Sequence, residues 1–249
     1  MRDDRARDAR TTVLGAAAWT LTALALAFAL LVAREADDAM GGQLQRIFYV
    51  HVPAAWIAYL AFALVFVCSI AYLRTGARRW DVAAHSSAEL GVVFSSLVLV
   101  TGPIWARPVW GTWWQWDARL TSALVMWLTY AGYLLLRALA ADPVRAGRLA
   151  AVVGIAGFVN VPIVHFSVRW WRTLHPSGPT PADPTRGSGL GPPEMLAFFT
   201  ALVAFTLLFA WLLSLRVRIG RLEDRVDEHE LAAAAPRAPA VARPPAVPT

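Results

Sequence analysis

The chain has 249 residues, 57% of them hydrophobic, and a formal net charge of +6. This composition is too apolar for a soluble domain and predicts a protein that crosses a membrane several times. The positive charge does not indicate nucleic-acid binding, because the arginines lie beside apolar runs. The single Cys68 excludes a disulfide framework and a cysteine-based metal site.

Six apolar segments reach or approach the roughly 20 residues that are needed to cross a bilayer. The first follows four arginines, but it is longer than the core of a signal peptide and is followed by a poor cleavage site, so we predict a true span. The sequence therefore predicts an all-α integral membrane protein with six transmembrane helices, over residues 12–33, 53–73, 82–103, 120–139, 149–166 and 193–215.

The arginines predict the orientation of these spans. If the N-terminus is cytoplasmic, sixteen of the 23 basic residues lie on the cytoplasmic side, which is the side that positive residues favour. Six spans then place both termini in the cytoplasm and the segment between spans three and four outside. The outer arginines are Arg34, Arg46, Arg107, Arg119, Arg169, Arg172 and Arg186.

The end of the chain differs in kind from the rest. We predict a six-helix membrane domain over residues 1–220 and a cytoplasmic tail over residues 221–249. The charged stretch 221–231 is able to extend the last helix, whereas the Ala/Pro-rich stretch 232–249 lacks apolar periodicity and is expected to be disordered.

A tryptophan-rich loop is predicted on the outer face, over about residues 104–119. It holds Trp110, Trp113, Trp114 and Trp116. Tryptophan has a large flat apolar face and one N–H donor, so a dense cluster suits a large, flat, amphipathic ligand at the membrane boundary, and porphyrin fits best. Interfacial tryptophans are more often simple membrane anchors, and that alternative stays open from the cluster alone.

Histidines point to the same outer face. His51 lies at the outer mouth of span two and His175 in the outer loop between spans five and six, where two imidazoles are able to ligate one haem iron. A single loop histidine is more often solvated, so the co-location with the tryptophans carries the hypothesis. His165, at the outer end of span five, competes with His175. His85 lies about a bilayer's depth from His165, which disfavours an intramembrane haem or a quinone-linked redox enzyme.

Outer arginines are candidates to pair with the two propionates of haem, because guanidinium groups bind carboxylates in a bidentate, always-charged manner. A local ion pair with Asp117 is an equally good explanation for one of them, Arg119. Arg46, just before His51, is a weaker candidate. The candidate propionate partners are Arg107, Arg119, Arg169 and Arg172.

Glu89 is an ionisable residue inside span three, where charge is costly and often functional. It motivates an alternative function, a transporter that moves haem or another substrate across the bilayer. Paired halves, which many transporters have, are not visible in the sequence, and a hydrogen bond to a neighbouring helix is the simpler explanation. The chain also lacks a phosphate loop, a Ser/His/Asp pattern and a zinc signature, so we expect a binding and transfer subunit rather than an enzyme.

Three stretches resemble the haem-handling protein family, most closely its cytochrome c maturation protein C group. Residues 110–121, WGTWWQWDARLT, resemble the tryptophan-rich signature of the family. Residues 47–56, IFYVHVPAAW, and 166–175, FSVRWWRTLH, resemble its two histidine segments. The resemblance covers about residues 12–215.

The resemblance implies that His51 and His175 are the axial ligands of haem iron. It implies a haem-contacting platform of Trp110, Trp113, Trp114, Trp116 and Asp117. Family members hold haem b transiently at the periplasmic face of the bacterial inner membrane and pass it to a periplasmic haem chaperone. A small single-span helper protein and an ABC-type ATPase/permease complex assist its release. Larger members of the family act as cytochrome c synthases, and this chain is too short to match them.

Overall fold

A computed structural model of the chain describes residues 2–36, 41–175 and 190–234. Its helices are α1 (Arg2–Ala27), followed by a π-helical turn (Phe28–Val32); a 3₁₀ turn (Gly42–Ile47) leading into α2 (Phe48–Thr75); α3 (Arg78–Trp110); α4 (Ala118–Leu139); α5 (Pro143–Phe158); α6 (Asn160–Trp170); and α7 (Pro192–Ala234).

The described residues contain six helical segments that are long and apolar enough to cross a membrane. The prediction of an all-α protein with six transmembrane helices is therefore confirmed. The segments are Asp8–Val32, Gly42–Thr75, Arg78–Trp110, Ala118–Leu139, Pro143–Trp170 and Pro192–Glu230.

Helix α2 lies at the centre of the bundle and packs on α3, α5 and α7, while α1 packs mainly on α7. In the core, the ring of Phe62 stacks on that of Tyr130 with centroids 3.7 Å apart. Gly91 of α3 makes room for this pair, because a Cβ atom at that position would lie 2.4 Å from Phe62 Cε1. Close backbone approach at small residues is how membrane helices gain packing contacts without a hydrophobic driving force.

Helix α3 continues further than the sequence predicted. It passes through Pro103 and Pro108 and ends at Trp110. The next residue, Gly111, caps the helix: it has a φ of 74° and donates its N–H to the carbonyl of Arg107 at 3.0 Å. The first half of the expected 104–119 loop is therefore helical, and the irregular part covers residues 111–117. Membrane helices tolerate proline because neighbouring groups compensate the lost hydrogen bond.

The fifth span is broken into α5 and α6 at Val159. Pro162 has no N–H to donate to the carbonyl four residues earlier, which accounts for the interruption. Asn160 just before it donates to the backbone carbonyl of Ser122 on α4, at 2.8 Å. The break thus fixes α6 against α4 and directs the chain toward the 171–175 segment.

The end of the bundle opposite the tryptophan loop holds an ion-pair network. The carboxylate of Asp81, which is 1% exposed, accepts from Arg137 on α4 at 2.9 Å and also from Arg78. Arg78 pairs in turn with Asp224 of α7, at 2.7 Å. Three helices are therefore joined at this end by a buried charge pair and its neighbours.

Glu89 belongs to the same end of the bundle. Its carboxylate lies 2.6 Å from Nε of Arg216 on α7, and His85 lies one turn away with Nε2 3.5 Å from it. The ionisable group inside span three is thus paired with a neighbouring helix. Helix α7 continues through the charged stretch 221–231 to Ala234. The remainder of the predicted tail, 235–249, lies outside the described residues.

Candidate functional site

A cavity of about 800 Å³ opens at the end of the bundle that holds the tryptophan loop. Its depth is lined by apolar side chains, among them Ala58, Leu99 and Met126. Its mouth, at the helix ends, is lined by Arg34, Arg46 and Glu194, and Arg119 adds a further charged side chain to the lining. The volume lies within the range of about 300–1,000 Å³ that is typical of small-molecule and cofactor sites. An amphipathic ligand with an anionic end fits this distribution of polarity.

His51 lies in the first turn of α2 and lines the cavity. Its Nδ1 is 2.9 Å from the hydroxyl of Thr101 on α3, and that hydroxyl donates its own proton to the carbonyl of Leu97 at 2.7 Å. Thr101 therefore accepts from His51, which assigns the proton to Nδ1 and leaves the lone pair on Nε2. Metal-binding histidines are commonly oriented in this way by a partner on the other ring nitrogen.

Gly102 gives the His51 ring its space. A Cβ atom at Gly102 would lie 3.3 Å from Cε1 of His51, which is tighter than most contacts of this kind. A larger side chain at position 102 would therefore press on the imidazole, so α3 shapes the histidine site through both Thr101 and Gly102.

His175 reaches the same cavity from a separate part of the chain, five residues after the end of α6. Its ring centroid is 6.4 Å from that of His51, with a 32° tilt between the planes. Two imidazoles that ligate one ion from opposite sides have centroids about 6 Å apart, because each metal–nitrogen bond is about 2 Å. The observed separation matches this arrangement.

His165, the competing candidate, lies elsewhere. Its ring contacts those of Trp56 and Tyr59, with centroids 5.9 and 6.2 Å away, and it does not line the cavity. Among the described residues there is also no cluster of three or more histidine, cysteine or acidic side chains that would hold a metal ion by itself. The structure thus brings His51 together with His175 and not with His165.

The tryptophans of the loop divide into two pairs. Trp110 and Trp114 line the cavity, and the Trp110 ring lies 6.4 Å from that of His175. The buried indole N–H of Trp114 has no hydrogen-bond partner among the described residues. Trp113 and Trp116 are 58% and 75% exposed and do not line the cavity. Of the four tryptophans in the predicted platform, two therefore line the cavity.

Asp117 lies between the loop and α4 and does not line the cavity. One carboxylate oxygen accepts from the backbone N–H of Leu120 at 2.9 Å and so caps α4. The other accepts from the backbone N–H of Leu174 at 3.2 Å. The predicted alternative, an ion pair with Arg119, is not among the ion pairs of the described residues; Arg119 donates instead to the carbonyl of Val164 at 3.1 Å.

Of the four arginines that the sequence nominated, the cavity includes only Arg119. Two arginines outside that set of four, Arg34 and Arg46, also line the cavity, at its mouth. Arg46 donates to the carbonyl of Leu30, and its buried Nε has no partner among the described residues. The predicted arginines that lie outside the lining are Arg107, Arg169 and Arg172.

Arg34 was not nominated because its partner, Glu194, is 160 positions away in the chain. The backbone N–H of Arg34 donates to that carboxylate at 3.0 Å and its Nε at 3.1 Å. The side-chain hydrogen bond to Glu194, and then the negative charge of that carboxylate, raise the pKa of the Arg34 guanidinium above its ordinary value. The position of Arg46, five residues before His51, was a usable signal in the sequence.

Fold and site together define a multi-pass membrane protein with a two-histidine cavity at one end of its helical bundle. The family described as heme exporter protein C matches residues 5–232. Heme exporter protein C of Bradyrhizobium diazoefficiens is 41% identical over 192 residues, covering 76% of this chain and 72% of the relative. Its counterpart in Escherichia coli K12 is 39% identical over 181 residues, covering 73% and 72%. The chain belongs to the heme exporter protein C family.

Proposed function

We propose that the chain binds haem b as a transient cargo and delivers it to a periplasmic haem chaperone during maturation of c-type cytochromes. One observation carries the proposal. His51 and His175 are far apart in sequence, yet both line a cavity of about 800 Å³ and their ring centroids are 6.4 Å apart. The relatives named heme exporter protein C make haem the first cargo to test.

His51 and His175 are the axial ligands of the iron in this proposal. The support for His51 is chemical, since Thr101 takes the Nδ1 proton and leaves Nε2 able to donate its lone pair. Neutral imidazole is the form that binds metal, and an apolar surround favours it. Ligation from two sides gives six-coordinate iron, which has a distinct optical spectrum.

Arg46 and Arg119 hold the haem propionates in this proposal. Both line the cavity, and the buried Nε of Arg46 needs an acceptor that a carboxylate would supply. Arg34 adds positive charge beside them, although Glu194 already occupies its guanidinium. We therefore favour these residues over Arg107, Arg169 and Arg172, which do not line the cavity.

Trp110 and Trp114 form the surface on which the porphyrin rests in this proposal, because both line the cavity beside His175. Trp113 and Trp116 face outward and are free to meet lipid or the chaperone. Transfer requires haem to leave, and a cavity with an open mouth beside an exposed aromatic surface suits such a transfer.

The remaining assignments rest on the arginine distribution and on family resemblance. We propose the bacterial inner membrane, cytoplasmic termini and a periplasmic tryptophan loop. The proposed partners are the haem chaperone, a small single-span helper protein and an ABC-type ATPase/permease complex. We assign no catalytic residue, because the cavity residues bind and orient haem and the bond-forming step belongs to the chaperone.

The transporter alternative loses its main motivation in the structure. Glu89 does not line the cavity and is paired with Arg216. Glu89→Gln is therefore expected to retain haem binding and chaperone loading. Loss of both in a stably inserted Glu89→Gln protein would favour transport.

The proposal is tested by optical spectroscopy of the protein purified in detergent after co-expression with the haem chaperone. The wild type is expected to have a six-coordinate bis-histidine spectrum. His51→Ala and His175→Ala are expected to lose it, whereas the matched control His165→Ala keeps it. A haem-free wild-type protein at full expression, or equal loss in all three variants, would overturn the assignment.

The proposed orientation has its own test, which uses the single native cysteine. In a Cys68→Ser background, a cysteine placed at Gln115 is expected to react with a membrane-impermeant maleimide in intact cells. A cysteine at Arg145, between α4 and α5, is expected to react only after the membrane is permeabilised. The reverse labelling pattern would invert the proposed topology.

A further inference from the structure

We infer that Asp117 is a positioning residue that holds the segment carrying His175 in place, rather than a residue that contacts haem. Its two carboxylate oxygens have separate partners: one caps α4 through Leu120 N–H at 2.9 Å, and the other accepts from Leu174 N–H at 3.2 Å. Leu174 is the residue directly before His175. The inference rests on the proposed function, in which His175 is an axial ligand.

The backbones of the two histidines are held in different ways. This makes the hydrogen bond from Leu174 to Asp117, called the tie below, important for the position of His175. His51 is part of a 28-residue helix, so its backbone is fixed by the helical hydrogen bonds of α2. His175 follows the end of α6, where Trp171 is already extended with φ −130° and ψ 158°. Asp117 joins this non-helical segment to the first turn of α4, which is anchored in the bundle.

A local turn completes the arrangement. The backbone N–H of His175 donates to the hydroxyl of Thr173 at 3.1 Å, and that hydroxyl donates to the carbonyl of His175 at 3.3 Å. These two hydrogen bonds join residues 173–175 into one local unit. The hydrogen bond from Leu174 to Asp117 then sets where the unit lies relative to the tryptophan loop and the cavity.

Asp117 is poorly suited to contact haem directly. It does not line the cavity, and both of its oxygens are already engaged with backbone donors. Its place in the tryptophan-rich segment is therefore explained by what it does for the neighbouring histidine.

The test separates the tie from the helix cap. Serine is as good an N-cap as aspartate, but its one short hydroxyl does not reach Leu174 when it caps α4. Asp117→Ser therefore keeps the cap and removes the tie. Asp142→Ser is the matched control, because Asp142 caps α5 through Val144 and Arg145 with a single oxygen and lies at the opposite end of α4 from Asp117.

The readout is the coordination state of haem in the purified proteins, titrated with free imidazole. Asp117→Ser is expected to shift haem toward the form ligated by His51 alone. The ratio of six-coordinate to five-coordinate haem should fall about fivefold relative to the wild type. Added imidazole is expected to restore the six-coordinate spectrum, because the empty position is that of His175. Asp142→Ser is expected to match the wild type at every imidazole concentration.

Two results would overturn the inference while leaving the proposed function intact. One is a six-coordinate spectrum in Asp117→Ser equal to that of the wild type. The other is a loss of haem in Asp117→Ser that imidazole does not restore, which would indicate direct contact between Asp117 and haem. If the proposed function itself fails, the wild type lacks the bis-histidine spectrum, which is a different outcome.

Discussion

The imidazole of His51 donates from Nδ1 to the hydroxyl of Thr101, 2.9 Å away on the neighbouring helix. The hydroxyl donates its own hydrogen bond to the carbonyl of Leu97, so it is left to accept from His51. Two adjacent helices thereby determine which nitrogen of the histidine is available to a metal. A prediction follows directly for the threonine.

Thr101→Val is expected to weaken haem binding about tenfold or more, because loss of the outer partner of a ligating histidine typically costs that much. Thr206→Val is the matched control, since the Thr206 hydroxyl donates to Leu202 in the same manner but touches no histidine. Haem titration in detergent measures the difference. Equal affinities in the two variants would contradict the orienting role of Thr101.

Enlarging Gly102 is expected to displace the His51 ring without unfolding the protein. Gly102→Val places two methyl groups where a Cβ alone would lie 3.3 Å from Cε1 of His51. The bis-histidine spectrum should be lost while thermal stability stays close to wild type. Gly132→Ala, on α4, is the control, because no atom of the described residues lies within 4 Å of its added Cβ and helical glycine is less favourable than alanine by about 1 kcal/mol. A wild-type spectrum in Gly102→Val would show that the His51 ring is able to move aside and still ligate the iron.

The arginines that line the cavity predict that the affinity for haem depends on its propionates. Arg46→Ala and Arg119→Ala are each expected to lower the affinity for haem about tenfold, the usual scale for a hydrogen-bonded charge partner. Neither should change the affinity for the dimethyl ester of haem, in which the carboxylates are blocked. Arg172→Ala, outside the cavity, should leave both affinities unchanged. Equal losses for haem and its ester would mean that the two arginines act on the fold.

The two pairs of tryptophans are expected to behave differently. Trp114→Ala removes a wall of the cavity and should weaken haem binding, whereas Trp116→Ala removes a side chain that is 75% exposed and should leave the haem spectrum unchanged. If Trp116 belongs to the transfer surface, its loss lowers the rate of chaperone loading at equal haem occupancy. Both quantities are measured on the same purified preparations.

The buried ion pair between Asp81 and Arg137 predicts a stability effect far from the cavity. Asp81→Leu leaves Arg137 without its principal partner and is expected to destabilise the protein by about 3–5 kcal/mol. Adding Arg137→Met should recover most of that loss, because a well-packed apolar pair replaces a buried ion pair at little cost. Thermal unfolding in detergent measures both variants. If the double variant is as unstable as Asp81→Leu alone, the loss of stability does not come from the unpaired charge of Arg137.

The six spans were predictable because each is a long apolar run, and length and hydropathy are local properties of the sequence. The continuation of α3 to Trp110 was missed because Pro103 is a reasonable local stop signal, and only packing in the bundle overrides it. The proximity of His51 and His175 followed from topology and family resemblance together.

The polar contacts of the site were harder to predict. Arg34 meets Glu194 across 160 positions, and Asp117 meets Leu174 across 57. No local pattern encodes such pairs, since they depend on how the helix ends are brought together. Asp117 also illustrates that membership of a motif does not define a role: its carboxylate is directed at backbone N–H groups.

The ion pairs join the helices at the end of the bundle opposite the tryptophan loop, and the cavity lies at the other end. This one-sided arrangement bears on the energetics of haem exchange. Moving one charge across the whole membrane field involves about 2.3 kcal/mol per 100 mV. In the proposed function, haem enters and leaves the cavity on the side of the tryptophan loop and does not cross the whole of that field, so the membrane voltage does at most part of this work on it. Loading and release of haem in vesicles are therefore expected to depend much less on the applied voltage than transport across the bilayer would.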